Sequence, residues 1–144
     1  MKIVIISGYY DPITCGHIEY IKLSKEFAGK DGKLIVIVNN DDQAILKKGK
    51  FFMTCEDRIV IISELRNVDE TIKSIDIDRT VCKTLEMIYK KYDKDELWFA
   101  NGGDAFNHNI PERPVCEKLG IKMVDGFGDK IRSSSWLTGL KPLY

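Results

Sequence analysis

This chain lacks an excess of either charge. Lys plus Arg and Asp plus Glu both total 22, so the formal net charge is zero. No global basic field exists to hold nucleic acid, and any anion site must be local. Histidine is scarce, with only His17 and His108. The four cysteines, Cys15, Cys55, Cys82 and Cys116, include no Cys-x-x-Cys pair. That spacing argues against a structural zinc site, and no protein-held metal is expected. The thiols are expected to be reduced packing or surface residues of a cytoplasmic protein. Long apolar runs are also missing: none approaches the roughly 18 residues that suggest a membrane span. The N-terminus runs straight into a strand with no charged leader or cleavage site. What remains is ordinary globular material. Apolar residues make up 44% of 144 positions, which suits one domain over residues 1–144 with a real core.

The most informative stretch follows the first apolar run, Ile3 to Ile6. It reads Ser7-Gly8-Tyr9-Tyr10-Asp11-Pro12-Ile13-Thr14-Cys15-Gly16-His17. A helical pattern comes next, with Ile18, Ile21, Lys22 and Lys25 on one side and Tyr20, Leu23 and Phe27 on another. The spacing predicts strand, loop and helix, with Gly16 and His17 in the first helical turn. Such a turn presents free backbone N–H groups and the positive end of the helix dipole, and a phosphate can sit there. Gly8 is expected to leave the strand in a conformation other residues resist. Pro12 stiffens the turn and keeps Asp11 out of the helical region. Gly16 permits close approach of a ligand, and His17 can donate a ring N–H to a phosphate oxygen. Taken piece by piece, the same residues equally describe an ordinary loop followed by a surface histidine.

Taken whole, the string from Gly8 to His17 resembles the signature of the nucleotidylyltransferase superfamily. That signature is glycine, any residue, Phe or Tyr, Asp, two residues, His or Thr, any residue, Gly, His. Its members include glycerol-phosphate cytidylyltransferases, phosphopantetheine adenylyltransferases and heptose-phosphate nucleotidyltransferases. Thr14 stands where many members carry a first histidine, as in the phosphopantetheine branch.

Along the rest of the chain, Lys33 to Val38 reads as a strand buried on both faces. Ala44 to Lys50 reads as a basic loop. Thr54 is placed to cap a helix with Ile59, Ile62, Leu65 and Arg66 on one face. Val68 to Asp76 reads as a weaker strand near a sheet edge. Thr80 is placed to cap a helix carrying Val81, Leu85, Ile88 and Tyr92. Glu96 to Ala100 is a fourth strand. Pro111 fits the start of a short helix through Leu119, closed by Gly120. Ile121 to Val124 is a fifth strand, Asp125 to Asp129 a loop, and Ser133 begins a last helix. The alternation predicts an α/β fold, a Rossmann-like doubly wound sheet of five parallel strands. In the order 3-2-1-4-5 that the resemblance implies, the His17 loop lies beside the Gly102-Gly103-Asp104 loop at the reversal of strand order.

Three further stretches could serve the same chemistry. In Lys130-Ile131-Arg132-Ser133-Ser134-Ser135, hydroxyls at a helix start can cap the backbone or meet a phosphate. The family has a Ser/Thr run at this place, often preceded by Arg. The resemblance therefore assigns Ser133, Ser134 and Ser135 to the β- and γ-phosphates, with Lys130 or Arg132 as the cation. Lys47, in the run Lys47, Lys48 and Lys50, matches a phosphate-binding lysine of the cytidylyltransferase branch, though most such runs are solvated surface. Gly102, Gly103 and Asp104 match the region beside the base and ribose.

The resemblance implies transfer of a nucleoside monophosphate from a triphosphate to a small phosphorylated acceptor, with release of pyrophosphate. His17, Lys47 and Thr14 would act in the transfer. Gly8, Tyr9, Tyr10, Asp11 and Gly16 would line the nucleotide. CTP with a polyol- or sugar-phosphate is favoured. ATP with heptose-phosphate or phosphopantetheine, and a non-catalytic nucleotide-binding module, are the alternatives. Mg²⁺ is expected with the triphosphate, and a homodimer is expected, with Asp11, Arg58 and Arg66 matching positions near its contact. Local ion pairs explain those three residues equally well.

Overall fold

The computed structural model describes residues 1–102 and 110–127, with backbone alone at 126 and 127. In chain order the elements are β1 (Lys2–Gly8), α1 (Cys15–Ala28), β2 (Lys33–Val38), α2 (Asp41–Lys48), α3 (Cys55–Ser63), β3 (Glu70–Lys73), α4 (Cys82–Lys91), β4 (Glu96–Gly102), α5 (Arg113–Leu119) and β5 (Lys122–Phe127). The five strands form one parallel sheet in the order β3-β2-β1-β4-β5. The expected α/β Rossmann-like architecture and strand order are therefore present.

Alternation along the central strands makes two cores. Ile3 and Ile5 of β1 and Ile35 and Ile37 of β2 pack with Val81, Leu85 and Ile88 around α4, and with Cys116 of α5. Val4 and Ile6, with Leu34, Val36 and Val38, face the other way onto Ile21 and Ala28 of α1 and Ile62 of α3. Successive residues of a strand point to opposite faces, so a continuous apolar run is what a sheet covered on both sides requires. At roughly 1.5–3 kcal/mol for each fully buried aliphatic side chain, these strands dominate the stability of the fold. Among the described residues no helix is long and apolar enough to cross a membrane.

Several expectations need correction. Ala44 to Lys48 is the body of α2, not a loop. Asn40 caps it: its side chain accepts from the Gln43 N–H, and the Gln43 side chain reaches back to the Asn40 N–H. Gly49, left-handed at φ 83°, closes it. The lysine run reads as loop only until this reciprocal cap is seen. The strand expected from Val68 to Asp76 shrinks to Glu70–Lys73 at the sheet edge. The Val68 N–H is spent in a turn on Leu65; the Ser74 N–H still donates to the Val38 carbonyl of β2, and then Ile75 and Asp76 turn to Thr84 of α4. Thr80 shares the capping of α4 with Asp76: the Thr80 hydroxyl accepts from the Cys82 N–H at 3.4 Å. The buried Asp76 carboxylate accepts from the next two N–H groups, of Lys83 and Thr84, and from the Thr84 hydroxyl. Helix α5 begins at Arg113, with Pro114 in its first turn, instead of at Pro111. Strand β5 runs on through Asp125 to Phe127, which were expected to be loop.

Gly8 also has a different reason from the one expected. It is not at positive φ; Tyr10 is, at 52°. A Cβ on Gly8 would lie 2.7 Å from the Tyr10 ring. The glycine makes room for the ring, and the left-handed turn falls on the tyrosine instead.

Candidate active site

The loop after β1, the start of α1 and the last turn of α2 enclose a cleft of about 270 Å³ at the C-terminal edge of the sheet. Gly8, Tyr9, Tyr10, His17, Lys47 and Lys48 line it. Five of these, Gly8, Tyr9, Tyr10, His17 and Lys47, are named from sequence as nucleotide-binding or catalytic, and they meet through three separate backbone devices. Strand β1 ends in the loop, Thr14 caps α1, and Gly49 stops α2 directly after the lysines.

His17 is the third residue of α1, and the cap fixes its chemistry. The Thr14 hydroxyl accepts from the His17 backbone N–H at 3.4 Å, while the Thr14 backbone N–H donates to His17 Nδ1 at 2.9 Å. A backbone N–H can only donate, so Nδ1 must carry a lone pair. The ring proton then resides on Nε2. Burial holds the His17 pKa below the ordinary histidine value, and the nearby Lys48 cation pushes it the same way. A neutral imidazole with a fixed Nε2–H donor follows from both observations. The Thr14 backbone N–H and hydroxyl are both engaged with His17.

The other face of the cleft is cationic. Lys47 Nζ lies 4.5 Å from the centre of the Tyr9 ring, and Lys48 Nζ 5.6 Å. The Lys47 pKa is held below its ordinary value by burial, then by Lys48 and Arg79. Burial and neighbouring cations both disfavour the charged ammonium. Burial raises the Tyr9 pKa, and the Arg79 cation partly brings it back. Arg79 lies in the loop between β3 and α4. Sequence reading missed it, because an isolated arginine after an edge strand carries no spacing signal.

Asp11 lines the cleft but builds its wall. Its two carboxylate oxygens accept from the backbone N–H groups of Phe52 and Met53, each at 2.7 Å. Arg58 is wholly internal: it bonds to Tyr9, Asn39, Met53 and Asp41. The local reading of both residues therefore accounts for their side chains. Gly16 sits in the first turn of α1 and Gly102 ends β4. Gly103, Asp104, Lys130, Arg132, Ser133, Ser134 and Ser135 lie outside the described residues.

The Tyr10 hydroxyl is buried with no hydrogen-bond partner among the described residues. A buried, unsatisfied hydroxyl costs roughly 1–3 kcal/mol. Tyr10→Phe should recover about 1 kcal/mol or more of unfolding free energy, read as a higher urea midpoint. A lower midpoint would show that the hydroxyl has a partner in solution.

With this geometry in view, comparison with known proteins identifies the lineage. The family model described as cytidylyltransferase-like matches residues 5–126. The chain belongs to that family. A FAD synthase of Methanothermus fervidus is 35% identical over 82 residues, 57% of this chain and 55% of that one. A FAD synthase of Thermococcus kodakarensis is 30% identical over 121 residues, covering 81% and 67%. The chain spans about half the length of the first of these curated relatives. A solved structure titled as a lipopolysaccharide core biosynthesis protein from Thermoplasma volcanium matches with a TM-score of 0.67 at 24% identity, covering 89% of this chain and 98% of that one. At that identity it shows the shared fold. Membership of the cytidylyltransferase-like family gives the His17 cleft its context: the matched span contains β1 from Ile5 onward, α1, α2 and the Arg79 loop.

Proposed function

We propose that this chain transfers a nucleotidyl group from a nucleoside triphosphate to a phosphorylated acceptor. The observation that carries the reading is the neutral His17, held as an Nε2–H donor at the start of α1 and sharing one cleft with Lys47 and Lys48. An acceptor phosphate oxygen attacks the α-phosphorus. The bond from that phosphorus to the β-bridging oxygen breaks, and pyrophosphate leaves with the electron pair. The acceptor phosphate is already ionised at neutral pH, so no base or covalent intermediate is needed. Catalysis then consists of aligning two polyanions and stabilising charge as it moves to the leaving group. His17 Nε2–H would meet an α-phosphate oxygen, the α1 N-terminus with Gly16 would add backbone donors, and Lys47 would offset the remaining charge. Mg²⁺ would enter bound to the triphosphate, held mostly by phosphate oxygens and water.

For the nucleotide, the relatives named FAD synthase favour ATP. FAD is the adenylyl ester of FMN, and FMN carries its phosphate on a ribityl chain. It is thus itself a polyol phosphate, the acceptor class expected from sequence. CTP with a simple polyol phosphate is the second reading, supported by the cytidylyltransferase-like family match. The test is pyrophosphate release from ATP, CTP, GTP and UTP against FMN, glycerol 3-phosphate and sugar phosphates. ATP with FMN is expected to give the highest rate. CTP with glycerol 3-phosphate as the fastest pair would select the second reading, and no release with any pair would refute transfer.

A further inference from the structure

Helix α2 brings Lys47 and Lys48 to the cleft, yet it is lightly anchored. Of its eight residues only Gln43 and Ala44 are buried, and Ile45 and Leu46 after them are exposed. Lys47 is the fourth residue after Gln43, so the two share a face one turn apart. Hydrogen bonds to the loop after β3 fix the start of that face. The Gln43 Nε2 amide donates to the carbonyls of Asp78 at 2.7 Å and Thr80 at 2.8 Å. Gln43 Oε1 accepts from Asn39 Nδ2 at 3.1 Å and from the Asn40 N–H at 3.0 Å. Asn40 Nδ2 donates to the carbonyls of Ser74 and Asp76, each at 3.0 Å. Every second carbonyl from Ser74 to Thr80 is thus held by one of two amides at the start of α2.

A primary amide offers two donor hydrogens and an oxygen with two lone pairs, and Gln43 uses all of them. A saturated network of this kind selects one arrangement, because any other leaves a buried polar group unpaired. Gln43 is wholly buried and is not among the residues that line the cleft. Its hydrogen bonds are spent on placement. We propose that Asn40 and Gln43 form a clasp that positions Lys47: their grip on the loop after β3 holds α2 so that Lys47 Nζ stays at the cleft, 4.5 Å from the centre of the Tyr9 ring. Loosening the clasp frees the lysine end of α2, and a displacement of about 1 Å at a reacting group can slow a reaction roughly a hundredfold. The effect on rate rests on the transfer reading given above; the placement of Lys47 does not.

The test is Gln43→Met, which keeps the side-chain volume and the Asn40 cap on the backbone N–H of position 43 but gives up the grip. With the fastest substrate pair from the pyrophosphate screen, kcat should fall roughly tenfold to a hundredfold. Lys47→Ala should fall at least as far. In the Lys47→Ala background, Gln43→Met should change kcat by less than about twofold, because residues that act as one unit are not additive. A general loss of stability would lower both backgrounds alike. Asn40→Asp keeps a good helix cap and gives up the two donations to Ser74 and Asp76. It should show a smaller fall with the same dependence on Lys47, and it carries the test if Gln43→Met does not fold. Nuclear Overhauser contacts between the Lys47 side chain and the Tyr9 ring should be present in the natural chain and weakened in both clasp variants. A fall that persists in the Lys47→Ala background, or natural kcat in the folded clasp variants or in Lys47→Ala, overturns the positioning role while leaving transfer standing. If the natural chain releases no pyrophosphate with any pair, transfer fails. The Lys47 to Tyr9 contacts then decide the placement alone, and contacts that survive undiminished in the clasp variants overturn it.

Discussion

Replacing His17 by alanine should slow nucleotidyl transfer by about two to three orders of magnitude while the protein stays folded. Removal of one preorganised donor from a developing phosphoryl charge typically has that effect. The loss should fall on kcat more than on the triphosphate KM, since the Nε2–H bond strengthens as charge builds on the α-phosphate. The folded state should lose only about 1 kcal/mol, because the imidazole also closes the reciprocal cap of α1. In a domain of this size that is a few degrees of melting temperature. Steady-state pyrophosphate release and a thermal melt on the same preparation check both halves. A variant with natural kcat would remove His17 from the chemistry, and one that does not fold would assign it a structural role.

Arg58→Met should be the most damaging single change to stability. The guanidinium is 1% exposed. Its Nε donates to the Met53 carbonyl at 3.0 Å, and Nη1 donates to the carbonyls of Tyr9 at 2.7 Å and Asn39 at 2.8 Å. Nη2 donates to the Asp41 carboxylate at 2.8 Å, the same oxygen that accepts from the Cys55 N–H. One side chain thus ties the ends of β1 and β2 to the starts of α2 and α3. Methionine fills similar space but leaves three carbonyls and a carboxylate without their donor. Breaking a buried pair of this kind costs about 3–5 kcal/mol. The lower part of that range is expected, because the Asp41 side chain is 29% exposed and water can reach it. Total stability is commonly about 5–15 kcal/mol, so much of the chain would unfold in mild denaturant. Urea unfolding measures this; a shift below 1 kcal/mol would mean the four bonds are replaceable. Arg58→Lys should recover only part of the loss, since an ammonium cannot span the same four acceptors.

The sheet was legible because its signal is physical and local. The apolar runs Ile3 to Ile6 and Leu34 to Val38 leave no polar face, and only a sheet buried on both sides accepts that. Strand order came from the family resemblance, and the structure agrees. Two of the misread places turn on side-chain caps. The Asn40 and Gln43 cap turned a lysine run into α2, and Asp76, several residues upstream, joins Thr80 in capping α4. Within the cleft, Gly8, Tyr9, Tyr10, His17 and Lys47 were named from the motif and its spacing, and the fold brings them together. Arg79 was invisible because its relation to Tyr9 exists only once β1 and β3 lie in one sheet. Arg58 was visible as a charged residue on a helix, but nothing in its spacing shows that it turns inward.

The central claim is that His17 is a neutral imidazole with its proton on Nε2, poised for a phosphate. Long-range proton–nitrogen NMR on ring-labelled protein reads this directly, and with only two histidines the His17→Ala variant assigns the signals. The account predicts an Nε2–H tautomer that stays neutral below the pH at which free histidine titrates. It also predicts a downfield shift of that proton on saturation with a non-hydrolysable triphosphate. A proton on Nδ1, an imidazolium at pH 7, or a ring that ignores the triphosphate would contradict it.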